Sequence, residues 1–278
     1  MHPSQGRSTK VLGVSGRGSD AHFGTVSGHQ PGTAVGVMRT LAVISRKGGV
    51  GKTTLSVNLA MAAYECGLKT MVADLDSQRS AQAWSAARTA PGPTVVATTA
   101  GKVFPVWSSA VNAGCDLMIL DTPASAEAET LQAFKLADMC LLVSRPNYFD
   151  IAALTRSIEL LRQFNKPGLI VLNQAPARRL GLEPKIVLNA ARALRLTGVP
   201  LATIGLRHRA GFPASAAMGM GVAEMEPASL AAREVAGVWA EVRIRLGLAP
   251  APDGDAAVRP AVSSIKGDLR AAATPLHS

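Results

Sequence analysis

Two lysines bracket a run of glycines in Lys47-Gly48-Gly49-Val50-Gly51-Lys52-Thr53-Thr54. Glycine lets a backbone curl until successive N–H groups point inward, and a helix that follows aims its positive end at the same spot. Such a loop cradles phosphate, with Gly48, Gly49, Val50, Gly51, Lys52, Thr53 and Thr54 around it. Lys52 is placed to reach β- and γ-phosphates, and the Thr53 hydroxyl to bind Mg²⁺. The usual spacing asks for glycine five residues before Gly51, where this chain has Arg46. Lys47 follows at the mouth of the loop. One lysine serves the phosphates from inside, so the second needs its own explanation.

Two acidic stretches could complete the chemistry. Asp74-Leu75-Asp76-Ser77-Gln78 and Asp121-Thr122-Pro123 each close an apolar run. Ligand sites in open parallel sheets lie beyond the carboxyl ends of the strands. Carboxylates buried there are costly unless they hold a metal, a water or a partner lysine. A carboxylate at such a strand end, here Asp121, is placed to hold Mg²⁺ directly or through water.

The elements that must position these groups are legible as runs. Leu41–Ile44, Thr70–Ala73, Leu117–Leu120, Cys140–Val143, Leu169–Leu172 and Leu201–Ile204 read as strands, with helical patterns between them. This alternation predicts an α/β fold: a doubly wound, mostly parallel sheet with helices on both faces. Near-continuous apolar strands fit a sheet buried on both sides. A last helix is expected from about Pro227 to just before Gly247, with Val235, Val238, Trp239, Val242 and Leu246 as its inward stripe.

The loop with its extra lysine resembles the deviant Walker A motif of the ParA/MinD group of ATPases, a branch of the P-loop NTPases. Asp74–Gln78 is similar to that group's D-x-D-P-Q motif, with Ser77 in place of proline. Ala124 stands where the group often has a second proline, and with Trp84-Ser85 it resembles the small, ParF-like class of partition proteins. The resemblance spans about residues 38 to 247. It implies ATP and Mg²⁺ as cofactors, with Thr53, Asp76 and Asp121 on the metal side. Asp76 would orient or activate the attacking water. Lys47 would cross a dimer interface to the partner's nucleotide, so that ATP drives homodimerisation. Asn173 would contact adenine, beside the Gly205-Leu206 backbone. Asp150 matches an acid of the family, although capping the helix after Asn147 explains it equally well. The implied activity is slow, partner-stimulated ATP hydrolysis in a cytoplasmic, nucleoid-associated protein. It would bind DNA non-specifically and partition plasmids or chromosomes with a ParB-like adaptor. The alternative is a MinD-like or other ParA-like ATPase that positions a protein complex at membrane or nucleoid.

Composition agrees. The formal charge is +10, and between Pro176 and Phe212 seven basic residues face Glu183 alone. Such an excess draws polyanions, which makes Arg178, Arg179, Arg192, Arg195, Arg207 and Arg209 candidates for DNA contact, beside Lys185. Three scattered cysteines fit a reducing compartment and form no metal spacing. An iron–sulfur carrier would need paired interface cysteines, and Cys115 and Cys140 fall on or beside strands. No apolar run is long enough to span a bilayer. A membrane oscillator would need an amphipathic C-terminal helix, for which the tail offers only Ile265 and Leu269, so no stable membrane association is expected. Residues 1–37, rich in Gly, Ser, His and Thr, read as a disordered extension, with Met38 a candidate start of translation. Residues 248–278 read as a flexible tail.

Overall fold

The computed structural model describes residues 37–124 and 127–248; the expected extension and tail lie almost wholly outside these. A six-stranded sheet carries the architecture: β1 (Arg39–Ile44), β2 (Thr70–Asp74), β3 (Thr94–Ala97), β4 (Leu117–Asp121), β5 (Met139–Ser144) and β6 (Gly168–Leu172). Its order is β3-β2-β4-β1-β5-β6, and every neighbouring pair is parallel. β1 therefore lies at the centre, where consecutive crossovers leave in opposite directions. That is where a ligand crevice opens in a doubly wound sheet.

The helices are α1 (Lys52–Glu65), α2 (Ser80–Ala87), α3 (Val103–Asn112), α4 (Glu127–Leu136), α5 (Tyr148–Gln163), α6 (Lys185–Arg195), α7 (Gly211–Ala217), α8 (Val222–Met225) and α9 (Leu230–Leu246). Strand side chains alternate between two cores, as a period of two requires. Leu41, Val43, Leu117, Ile119, Leu141 and Val171 pack with α1, α2 and α7 to α9. Ala42, Ile44, Met118, Leu120, Leu142 and Ile170 pack with α3 to α6. With 4% aromatic residues, both cores rest on aliphatic side chains.

Three expectations need correction. Leu201–Ile204 is not a strand. It touches β6 through a single bridge, Leu201 to Ile170. The ladder stops there because the Leu172 carbonyl, next in register for the Ile204 N–H, takes the Leu206 N–H at 2.9 Å instead, so that Thr203–Gly205 bulge from β6. On the side away from β6 the Thr203 and Arg207 N–H groups donate to Glu241 and Glu234 of α9, both at 3.0 Å. The sixth strand is instead β3, a short edge strand behind Pro91-Gly92-Pro93 that a four-residue run hides from periodicity. The last helix opens at Leu230, three residues after Pro227, because the Ser229 hydroxyl accepts from the Ala232 N–H at 3.1 Å and caps it. Its expected stripe, Val235 to Leu246, is buried throughout.

Candidate functional site

The loop Ser45–Gly51 joins β1 to α1. Gly49 and Gly51 have φ of +69° and +87°, a region that side chains strongly disfavour. α1 starts without a side-chain cap and without an acid in its first turn. Its positive end is therefore unscreened and available to an anion. Lys52 is buried, 7% exposed, and its ammonium donates to the Lys47 carbonyl at 3.3 Å. Burial lowers its pKa, opposed by the charges of Asp121 and Asp76. Lys47 itself is exposed at the loop mouth, its N–H donating to the Ser45 hydroxyl at 3.3 Å. The two lysines thus differ: one is enclosed by the loop, and the other faces outward.

Register brings the acids together. β2 and β4 pair with Asp74 directly opposite Asp121. Asp121 is fully buried and accepts from the Thr53 hydroxyl at 2.7 Å and the Ser56 hydroxyl at 3.0 Å. Burial pushes its carboxyl up to about 7, against the pull of the two hydroxyls and Lys52 and with the push of Asp74. Ser56 escaped the sequence reading. Its spacing of three from Thr53, on the same face of α1, was the available signal. Asp74 is also buried, which raises its pKa; its carboxylate accepts from the Gln82 N–H and the Asp76 N–H, both at 3.1 Å. Asp76 is half-buried and accepts from the Gln78 N–H at 3.0 Å. The turn that lacks proline at Ser77 is thus held by two carboxylates. Arg79 adds to this, donating to the carbonyls of Asp74 and Thr98 at 2.7 and 2.8 Å.

These groups fit a nucleotide with Mg²⁺. Thr53, Asp121 and Asp76 offer hydroxyl and carboxylate oxygens, the donors that hard cations take. A Cβ built on Gly48 or Gly49 would meet nothing within 4 Å, so the cradle is open. Asp121, once ionised in its dry position, needs a cation beside it.

Asn173 follows β6 and is buried. Its amide nitrogen donates to the Val50 carbonyl at 2.7 Å, which places it on the phosphate loop. Gly205 lies so close to β6 that a Cβ would sit 2.6 Å from the Leu172 carbonyl oxygen. The Leu206 side chain is fully buried in the α1/α9 core, and its N–H donates to that same carbonyl at 2.9 Å. Asp150 does not cap α5. Asn147 does, accepting from the Asp150 N–H at 3.0 Å, while the Asp150 carboxylate pairs with Arg145.

The basic segment divides. Arg207 and Arg178 both pair with Glu183, and Arg209 pairs with Glu234. Arginine bonds hold Glu183 below its usual range despite burial. Arg179, Lys185, Arg192 and Arg195 are exposed, the last two in the final turn of α6. Trp84 donates to the Met220 carbonyl at 3.1 Å, and beside it Arg88 forms a bidentate pair with Glu224 at 2.7 and 2.8 Å.

A strand–loop–helix cradle with a buried carboxylate on the hydroxyl that follows its lysine defines a P-loop nucleotide-binding protein. Residues 41–220 match the CobQ/CobB/MinD/ParA nucleotide binding domain, and the chain belongs to this family of P-loop ATPases. It is 31% identical over 165 residues to the "Maintenance of carboxysome distribution protein A" of Gloeobacter kilaueensis, covering 58% of this chain and 73% of that one. The protein of the same name from Halothiobacillus neapolitanus is 30% identical, covering 67% and 87%. The chromosome-partitioning ATPase Soj of Thermus thermophilus is 27% identical, covering 49% and 67%. Among solved structures, apo McdA of Cyanothece superposes with a TM-score of 0.63 at 15% identity, covering 76% of this chain and all of that one. MinD of Pyrococcus horikoshii, complexed with Mg-ADP, gives 0.59 at 18% identity, covering 74% and 96%. Among the described residues no helix is long and apolar enough to cross a membrane.

Proposed function

We propose that this chain is an ATP-driven dimerisation switch that binds DNA without sequence preference and positions a cargo along it. Two lysines of one loop facing opposite ways carry this reading. The N–H groups of Gly48, Gly49 and Gly51 receive the phosphates, and Lys52 neutralises them from within. Thr53 and Asp121 hold Mg²⁺, with Asp76 nearby to orient the attacking water. Mg²⁺ held there would offset the negative charge that develops on the phosphate oxygens. Lys47 is free to reach the triphosphate of a second copy. A cation added at a partly dry interface gains more than one in water, so nucleotide loading favours pairing. Hydrolysis removes the γ-phosphate and with it the reason for the dimer.

Pairing doubles the exposed arginines of α6. Phosphate contacts alone give sequence-independent, salt-sensitive binding, and joining two modest patches adds avidity. Arg207, Arg209 and Arg178 already hold carboxylates, so Arg179, Arg192 and Arg195 are the better DNA candidates. The chromosome-partitioning relative supports DNA as cargo; on this reading a ParB-like adaptor would link the switch to it. The two relatives named for carboxysome distribution support the second reading, in which the same switch distributes a protein assembly.

Light scattering of the full chain with a non-hydrolysable ATP analogue tests the switch. The wild type should double its mass, and Lys47→Ala should bind the analogue yet remain monomeric. A Lys47→Ala dimer as tight as wild type refutes the cross-interface lysine. An adaptor that stimulates hydrolysis and binds DNA itself would settle the cargo as DNA; one that binds a protein assembly would settle the other reading.

A further inference from the structure

The phosphate loop turns its N–H groups inward, so its carbonyls must face away and find donors elsewhere. The Lys47 carbonyl takes the Lys52 ammonium, and the Gly51 carbonyl takes the Leu55 N–H at 3.0 Å. Of the three between them, those of Gly49 and Val50 are met by consecutive side chains after β6. Asn173 donates to the Val50 carbonyl at 2.7 Å, and Gln174 donates to the Gly49 carbonyl at 2.8 Å. The Asn173 side-chain oxygen, Oδ1, accepts from the Gln174 backbone N–H at 2.8 Å. That bond locks a turn in which Gln174 takes φ +52°, in the left-handed region that costs a non-glycine residue energy. Backbone strain of this kind persists where the surroundings over-determine it, and it clusters at sites of function. Asn173 also rests on Gly51: a Cβ there would lie 2.4 Å from its amide nitrogen.

We propose that Asn173 and Gln174 are positioning residues for the nucleotide, a two-amide brace that fixes the Gly49 and Val50 carbonyls outward so that the loop's N–H groups stay aimed at the phosphates. The inference rests on the nucleotide reading of the loop. It differs from base recognition, because a brace serves any triphosphate while a base reader serves one base. Asn173 keeps a second N–H and a second lone pair, so bracing does not consume the groups that reading a base would use. Gln174 is the sharper probe, since it is half-exposed and its side chain is not part of the core.

The test uses the full chain and three competitors of a fluorescent ATP analogue: ATP, GTP and inorganic tripolyphosphate. Gln174→Met keeps size and neutrality but loses the donor. Its affinity should fall by about two- to tenfold, the worth of one hydrogen bond, and by the same factor for all three. Gln174→Gly also loses the donor but relieves the left-handed strain. It should bind as weakly as the Met variant while melting no lower than it. Amide exchange at residues 48–51 should quicken in both variants, with protection of β1 and β4 unchanged. A loss confined to ATP overturns the brace in favour of base reading. Variants that bind like wild type overturn the brace alone. A wild type that binds none of the three overturns the phosphate reading, and the brace with it.

Discussion

Replacing Asp121 by Asn should make the metal-free protein more stable at neutral pH while removing its ability to hold Mg²⁺. Asp121 is fully buried between β1 and β2, where the Thr53 and Ser56 hydroxyls and the charge of Lys52 offset only part of the cost of ionising it. Its carboxyl titrates at about 7 in the fold against 3.8 for the free group. Because the folded value is the higher one, the folded chain binds more protons than the unfolded chain between these limits. Stability is therefore lost as pH rises from about 4 to about 7, and stays lost above. About three pH units at 1.36 kcal/mol each give about 4 kcal/mol. Asparagine has nearly the same shape, still accepts from one hydroxyl and never ionises. Thermal melts in chelator from pH 4 to 8 should show the two proteins converging at the acid end. The variant should then pull ahead by about 8–16 °C near pH 8, at about 2–4 °C per kcal/mol for a domain of this size. With a non-hydrolysable ATP analogue present, adding Mg²⁺ should raise the wild-type melting point further and leave the variant where the analogue alone puts it. Parallel curves for the two proteins across this range would refute the argument, since they would mean that Asp121 ionises without cost.

Other consequences follow from the same geometry. Lys52→Ala should lower nucleotide affinity at least about a hundredfold, because it removes several charge-assisted bonds from an enclosed site; calorimetric titration reads this directly, and wild-type affinity in the variant contradicts the loop assignment. Arg192→Glu with Arg195→Glu should weaken binding to all DNA sequences alike and flatten the salt dependence by about one for each lost phosphate contact, as read by fluorescence anisotropy. The same reversal at Arg207 would instead set a glutamate against Glu183 and disturb the loop it anchors, so loss of binding there would say little about DNA. Glu224→Gln should cost about 3 kcal/mol in chemical denaturation, since it leaves the buried Arg88 guanidinium without its counter-charge.

Much of this protein is written locally in its sequence. The loop Lys47–Thr54, the acids at the ends of β2 and β4 and five of the six strands are contiguous segments, and each forms for reasons confined to a few neighbours. Apolar runs fix strands, glycines fix the curl of the loop, and Asn147 fixes the start of α5. The family could be recognised for the same reason, because its motifs are short and uninterrupted. Other features depend on residues far apart in the chain. Strand register sets Asp74 beside Asp121, and it brings Asp121 to hydroxyls more than sixty residues away. Packing sets Asn173 and Gln174 against the loop, across separations of 123 and 125 residues. Glu183 and Glu234 decide which arginines are taken up in ion pairs, and the Leu172 carbonyl, by taking the Leu206 N–H, decides that Leu201–Ile204 does not complete a strand. A sequence lists donors and charges without saying which will meet. Only the packed chain pairs them, because burial makes an unpaired polar group costly and so selects the partners within reach.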